Sequence, residues 1–252
     1  ITAVLGFGTV GAGIYTMLGE AEALKQGPVL VRKGKADGGA KTDDPDKIFE
    51  DPSVEAVAEA IGGTEPAFEY AMKALQSGRH FVTANKVLVS EKGPELQAAA
   101  DRSGAAFLFS AACGGGVPLL HNLALARRAD SILSVRGILN GTTNYMLDGM
   151  QRAGLDYFGA LKKAQALGYA EADPTADVSG MDAYRKIILA AAVAFGELPQ
   201  NGLCEGIENV TAQDIRFYRE KGLVLRLIAE TKRTENGVSA LVQPVLFQLN
   251  TI

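Results

Sequence analysis

The chain has 252 residues, 47% of them hydrophobic and 21% charged, which is enough for one large or two modest domains with a sizeable core. A formal charge of -4 and a pI near 5.4 leave no cationic surplus for phosphate backbones or anionic lipid, so nucleic acid and membranes are excluded as expected partners and a small molecule is the default ligand. Apolar stretches such as 187–195 fall well short of the roughly 20 residues that cross a bilayer; no basic n-region with a cleavage site follows Ile1, and Cys113 and Cys204 suit neither a disulfide framework nor a zinc site, so a cytoplasmic location with reduced thiols is expected.

In chain order, Ile1 to Leu5 reads as an apolar strand, followed by a glycine turn and a helix through Ile14, Met17 and Leu18. The turn is Gly6-Phe7-Gly8-Thr9-Val10-Gly11, a G-x-G-x-x-G pattern in the strand-to-helix context that gives it meaning. The first glycine permits the tight turn, the second lets backbone amides approach a pyrophosphate, and the third lets the helix pack closely. A helix N-terminus then presents unpaired amides to the anion. A second strand, Pro28 to Val31, leads into Arg32 and Lys33, where a protein preferring NAD usually carries an acid for the ribose 2′-hydroxyl. Two cations suit a 2′-phosphate instead, so the cofactor expected is NADP or NAD with a leaning towards NADP.

Gly34 to Asp46 is polar, glycine-rich and irregular. Val54 to Ile61 and Arg79 to Thr83 are short apolar runs flanking a helical pattern of Ala67, Tyr70, Ala71, Ala74 and Leu75. A helix near Pro94 to Ala100 and a strand at Ala105 to Phe109 follow. This alternation predicts an α/β fold, a Rossmann-type doubly wound parallel sheet over residues 1–117. After Pro118 the texture changes, which places a second, α+β domain at residues 118–252. There the pattern gives helix at Leu119 to Arg128, strand at Ile132 to Leu139, helix at Tyr145 to Leu167 and a helix at Met181 to Phe195 with a buried stripe of Ile187, Ile188, Ala191 and Ala192. Strand-like pieces at Leu223 to Ala229 and Val238 to Val245 suggest an antiparallel or mixed sheet.

Four further stretches follow the glycine loop in order: 59–63 (EAIGG), 82–86 (VTANK), 137–145 (GILNGTTNY) and 167–174 (LGYAEADP), the last continuing through Asp177 and Gly180 to Asp182 and Lys186. Together with the loop they resemble the homoserine dehydrogenase family over nearly the whole chain. The resemblance implies a nucleotide domain joined to a substrate and dimerisation domain, acting as a homodimer on a small amino-acid substrate in threonine and methionine biosynthesis. It also implies NAD(P)-dependent interconversion of L-homoserine and L-aspartate 4-semialdehyde.

That chemistry needs a hydride carrier, a proton carrier for the alcohol oxygen, and groups that grip the ends of an amino acid. Asp182 and Lys186 lie four apart, on one face of a helix; read alone, they fit a surface ion pair worth a few tenths of a kcal/mol. The resemblance makes Lys186 the proton carrier and Asp182 a substrate-positioning group. It likewise makes Lys86, at a strand end where open α/β sheets gather ligands, the second active-site lysine. Glu171 becomes the anion for the substrate ammonium, with Tyr169, Thr142 and Asp177 as further substrate contacts.

Two departures qualify the match. The family's Glu-Ala-x-Val-x-Gly-Gly-Ile-Pro stretch around a monovalent cation reads here as 110–118 (SAACGGGVP), with Ser110 in place of glutamate. The carbonyls of Cys113, Gly115 and Val117 keep the capacity to bind sodium, because backbone donation is independent of side chain. Family members also continue past the equivalent of Ile252 through a segment that returns to the nucleotide domain. Two rival readings remain at this stage. One is a dehydrogenase of another aldehyde with Cys113 as thioester-forming nucleophile, activated by His80 or His121, although Cys113 as a packing residue and His121 as a structural histidine are favoured. The other is a nucleotide-binding sensor without turnover.

Overall fold

A computed structural model describes residues 1–249; residues 250–252, the end of the expected second domain, lie outside the described residues. The chain falls into two compact units, Ile1–Pro118 and Leu119–Ile252.

The first unit begins with β1 (Thr2–Leu5), buried at every position, as befits a central strand covered on both faces. Then come α1 (Thr9–Glu20), β2 (Gln26–Leu30), β3 (Lys41–Thr42), α2 (Asp46–Phe49), β4 (Ala56–Glu59), α3 (Ala67–Gln76), β5 (His80–Thr83), α4 (Lys86–Ser103) and β6 (Phe107–Leu108). The strands form one sheet in the order β3-β2-β1-β4-β5-β6, every pair parallel. That is the dinucleotide-binding order, with its switch point beside the C-terminal end of β1. Val4, Leu18 and Val29 pack together under α1, so the helix that opens the glycine loop is fastened to the two strands it follows and precedes.

The segment expected to be irregular, 34–46, contains β3, a two-residue edge strand too short to show any period, and leads into α2. The helix expected near Pro94 starts eight residues earlier, because Asn85 caps it by accepting from Leu88 N at 3.2 Å. It runs through Pro94, whose ring leaves the Ser90 carbonyl without its helical donor, and ends at Gly104 with φ +74°.

The second unit contains α5 (Leu119–Ala129), β7 (Ser134–Gly137), α6 (Gly141–Ala153), α7 (Tyr157–Ala166), α8 (Thr175–Val178), α9 (Met181–Phe195), β8 (Asn201–Cys204), α10 (Ala212–Glu220), β9 (Leu223–Thr234) and β10 (Gly237–Gln248). Its sheet has the order β7-β9-β10-β8, antiparallel except for the β8/β10 pair, hence mixed. The long β9/β10 hairpin packs on α9, where Ala191, Ala194, Phe195 and Val238 form a buried cluster. The stripe on α9 is wider than expected: Ile187, Leu189, Ala190 and Ala191 are all fully buried, and Ile188 and Ala192 partly so. The single helix expected over 145–167 is two helices, α6 and α7. Gly154 ends the first in the left-handed region (φ +65°) and Asp156 caps the second through Gly159 N at 2.7 Å.

Candidate active site

In the first unit the three loop glycines serve three different physical ends. Gly6 has φ +93°, and a Cβ there would lie 2.7 Å from the Ala60 carbonyl oxygen. A Cβ on Gly11 would lie 2.0 Å from the Gly6 carbonyl oxygen, so the helix closes on the loop itself more tightly than on the sheet. Gly8, the N-cap of α1, has nothing within 4 Å of its Cβ position: no packing demand fixes it, and the space above it is open to a ligand. Phe7, Thr9 and Val10 are exposed around this opening.

The loop borders a cleft of about 840 Å³ whose lining includes Gly6, Phe7, Gly8, Arg32, Lys33, Ala60, Ile61 and Tyr70. Arg32 and Lys33 are exposed there in the turn after β2. Sequence reasoning missed Lys35 and Lys41, which line the same cleft from the glycine-rich segment. Lys41 sits 4.7 Å over the Phe7 ring and 3.3 Å from Asp37, while Gly34 N donates to Asp43 Oδ2 at 2.7 Å. A cationic cleft ending at a helix N-terminus with a bare Gly8 is chemically suited to a dinucleotide bearing phosphates.

At the neighbouring strand ends, Glu59 is fully buried. Its Oε1 accepts from Ile61 N (2.7 Å) and Gly62 N (3.1 Å), and its Oε2 from the Thr83 hydroxyl (2.5 Å). Thr83 Oγ1 in turn accepts from Asn85 N (2.9 Å), and Asn85 Nδ2 donates to the Gly63 carbonyl (2.6 Å). This network fixes the turn that delivers Lys86, half-buried, as the first residue of α4 rather than as a strand-end residue. Glu59 and Asn85 stood inside quoted strings without a role; an acid within an apolar strand and an Asn three residues before Leu88 were the available signals.

In the second unit four of the expected substrate contacts meet. Lys186 Nζ lies 2.6 Å from Asp182 Oδ2, with side chains only 20% and 10% exposed, and donates to the Leu139 carbonyl at 2.9 Å. The pair is therefore recessed, not the surface pair its spacing also allowed. The Thr142 hydroxyl donates to the Tyr169 carbonyl at 2.5 Å and lies 3.1 Å from Asp177 Oδ2. Asn140, missed as a functional residue, donates through Nδ2 to both Asp177 Oδ1 (2.7 Å) and Asp182 Oδ2 (2.9 Å). Tyr169 joins by its backbone; its ring stacks on Tyr145 at 4.7 Å and is largely exposed. Glu171 is exposed and separated from α9 by α8. Its carbonyl accepts from Gln165 Nε2 at 3.1 Å.

Cys113 is 2% exposed, which suits a packing residue better than a nucleophile. His80 is engaged as an acceptor, its Nδ1 taking the Ala106 N–H at 3.0 Å, and His121 is exposed on α5 rather than structural. Gly114 and Gly115 have φ of +88° and +56°, and Val117 N donates to the Gly114 carbonyl at 2.9 Å. Among the described residues no group of three or more His, Cys, Asp or Glu side chains is placed to hold a metal, and no helix is long and apolar enough to cross a membrane.

Comparison with known proteins bears on both units. A family model described as homoserine dehydrogenase matches residues 118–252, and one described as the homoserine dehydrogenase NAD binding domain matches residues 6–110. The chain is 39% identical over 243 residues to a homoserine dehydrogenase of Synechocystis, covering 90% of this chain and 56% of that one. The structure of a homoserine dehydrogenase from Thiobacillus denitrificans aligns with a TM-score of 0.91 at 38% identity, over 100% of this chain and 62% of that one. A hyperthermophilic archaeal homoserine dehydrogenase, solved with NADPH, shares the fold with a TM-score of 0.81 at 24% identity, over 99% of this chain and 82% of that one. The chain thus spans just over half the length of the Synechocystis relative.

Proposed function

The chain belongs to the homoserine dehydrogenase family, and from that premise we propose that it takes part in NAD(P)-dependent interconversion of L-homoserine and L-aspartate 4-semialdehyde. The observation that carries the reading is the recessed Lys186–Asp182 pair. Burying an ion pair costs desolvation that a surface pair avoids, so it is weak as a stabilising device and more readily understood as part of a site.

The nicotinamide cofactor, when bound, supplies or takes the hydride. Lys186 is a donor in the structure, and in the reducing direction it gives a proton to the aldehyde oxygen; in the oxidising direction its neutral amine takes the hydroxyl proton. Asp182 holds Lys186, and Asp177, Thr142, Tyr169 and Glu171 are assigned to the amino-acid end, Glu171 to the ammonium. Lys86 is assigned the second lysine, beside the reacting oxygen. Residues 1–117 form the nucleotide domain and residues 118–252 the substrate and dimerisation domain.

Gly6 to Gly11 hold the pyrophosphate, and Arg32 and Lys33 favour NADP through a 2′-phosphate, a preference that the cationic lining of the cleft supports. The archaeal relative solved with NADPH fits that choice. A sodium ion on the carbonyls of Cys113, Gly115 and Val117 belongs to the same reading, because backbone carbonyls are hard oxygen ligands whatever side chain they carry. The acting form is a cytoplasmic homodimer.

The test is spectrophotometric: L-homoserine-dependent formation of NADPH or NADH by the chain, lost in Lys186→Ala while the protein still folds and binds cofactor. Near-normal turnover in that variant removes the assignment, and absence of turnover with both cofactors removes the reaction. Turnover unchanged across sodium concentrations removes the ion, and a monomer in analytical ultracentrifugation removes the dimer.

A further inference from the structure

Asn140 stands just ahead of α6 and is 4% exposed. Its Oδ1 accepts from Thr143 N at 2.8 Å and from the Thr143 hydroxyl at 2.9 Å. Because a backbone N–H must meet an acceptor, this contact fixes which end of the amide is oxygen. The nitrogen end therefore faces the two carboxylates, and its two N–H groups are spent on Asp177 Oδ1 and Asp182 Oδ2. Asp182 Oδ2 is the same atom that Lys186 Nζ approaches, and the other acceptor of Lys186 is the carbonyl of Leu139, the residue joined to Asn140 through the chain.

We propose that Asn140 is the positioning residue of this site: a neutral fork that holds Asp177 and Asp182 side by side and sets the rotamer of the carboxylate on which Lys186 rests. The proposal rests on the reaction assigned above. Two carboxylates that share a neighbour repel one another, and a neutral double donor between them offsets that repulsion where a third acceptor would add to it. Asp182 Oδ2 meets both the Asn140 amide and Lys186 Nζ, so the place of the carboxylate and the place of the amine are set together. Through its oxygen the same side chain anchors α6, which ties the fork to a rigid element.

The competing role is simple capping, and the variants separate the two. Serine and aspartate cap helices about as well as asparagine. Asn140→Ser keeps a capping oxygen and loses both N–H groups; Asn140→Asp keeps the shape and puts a third acceptor against two carboxylates. Positioning predicts, whatever fall in the thermal midpoint the loss of two buried donors brings, a folded serine variant with KM for the cofactor unchanged within about twofold, and kcat down by about tenfold for serine and about a hundredfold for aspartate, the scale on which small misplacements act. If both variants keep kcat within twofold, Asn140 only caps and the proposal falls.

If the parent chain shows no homoserine-dependent turnover, the reaction assignment fails instead, and the fork is read without turnover. The Asn140 side-chain amide pair in a ¹⁵N–¹H spectrum shifts in Asp177→Ala and in Asp182→Ala when the fork exists. Resonances unmoved in both overturn it, and this measurement also decides the matter should either capping variant fail to fold.

Discussion

Alanine substitutions at Gly8 and Gly11 separate what the loop needs for folding from what it needs for the cofactor. At Gly11 the new methyl would stand 2.0 Å from the Gly6 carbonyl oxygen, against an ordinary contact of 3.4 Å or more, so backbone must retreat by about 1.4 Å. The loop has little room to do so: Gly6 N is tied to the Leu30 carbonyl at 2.9 Å, and Ala60 already crowds Gly6. Overpacking of this kind costs about 1–3 kcal/mol, and in a chain of this size each kcal/mol lowers the thermal midpoint by about 2–4 °C. Displaced amides also lose charge-assisted bonds worth about 1.5–3 kcal/mol each, or about ten- to a hundredfold in Kd per bond.

At Gly8, φ −77° and ψ −163° are extended backbone open to any residue, and the methyl meets nothing within 4 Å. Gly8→Ala should therefore unfold with the parent, within about 0.5 kcal/mol, and still bind NADPH about tenfold more weakly because the methyl occupies the space of the ligand. Thermal unfolding and fluorescence titration with NADPH read both quantities. Full affinity in Gly8→Ala, or an unchanged midpoint in Gly11→Ala, refutes the reasoning.

Arg32→Ala and Lys33→Ala should each raise KM for NADPH about tenfold and leave KM for NADH unchanged; a parent enzyme that prefers NADH refutes the 2′-phosphate assignment. Glu59→Gln keeps one acceptor oxygen and puts an N–H donor in place of the other in a fully buried network where both oxygens accept, so it should cost about 2 kcal/mol in urea unfolding and slow turnover through Lys86; parental stability would show that the second acceptor is dispensable. On α10 the Thr211 hydroxyl, and after it the Thr211 amide, hold the Asp214 carboxyl below the usual carboxylate range. A depressed folded value means this stabilisation is present above about pH 4 and lost as pH falls through that value. Asp214→Asn should flatten the dependence of the urea midpoint on acid below about pH 4, and an unchanged slope rules the carboxyl out.

Contiguous features were legible in the sequence, and features assembled across it were not. The glycine loop, β1 and the alternation of the first unit follow from local period and from glycine, and the parallel sheet is present as expected. β8, exposed and interrupted by Gly202, is a strand because β10 lies parallel beside it, a pairing no local pattern announces. α10 buries only Ile215, so it lacked an apolar stripe, although the Thr211 to Asp214 capping box marked its start. The break between α6 and α7 was written in Gly154 and Asp156 and overridden by the apolar period on either side. The fork of Asn140 joins residues 37 and 42 positions away, and such a spacing carries no signal of its own.

Buried polar side chains explain why the family strings are recognisable at all. Eleven polar or charged residues are buried among the described residues, and seven of them lie in those strings: Glu59, Thr83, Asn85, Asn140, Thr142, Thr143 and Asp182. Burial without partners would cost each group about 1–3 kcal/mol, so a sequence carries them only where neighbours satisfy them. Each of these seven is hydrogen-bonded, and the bonds run to the turn that delivers Lys86 and to the carboxylate that holds Lys186. An apolar interior would serve packing with less specification. Concentrating the interior polarity at these two lysines ties the geometry of the amines to the folding of each unit, so that loosening either lysine exposes an unsatisfied group.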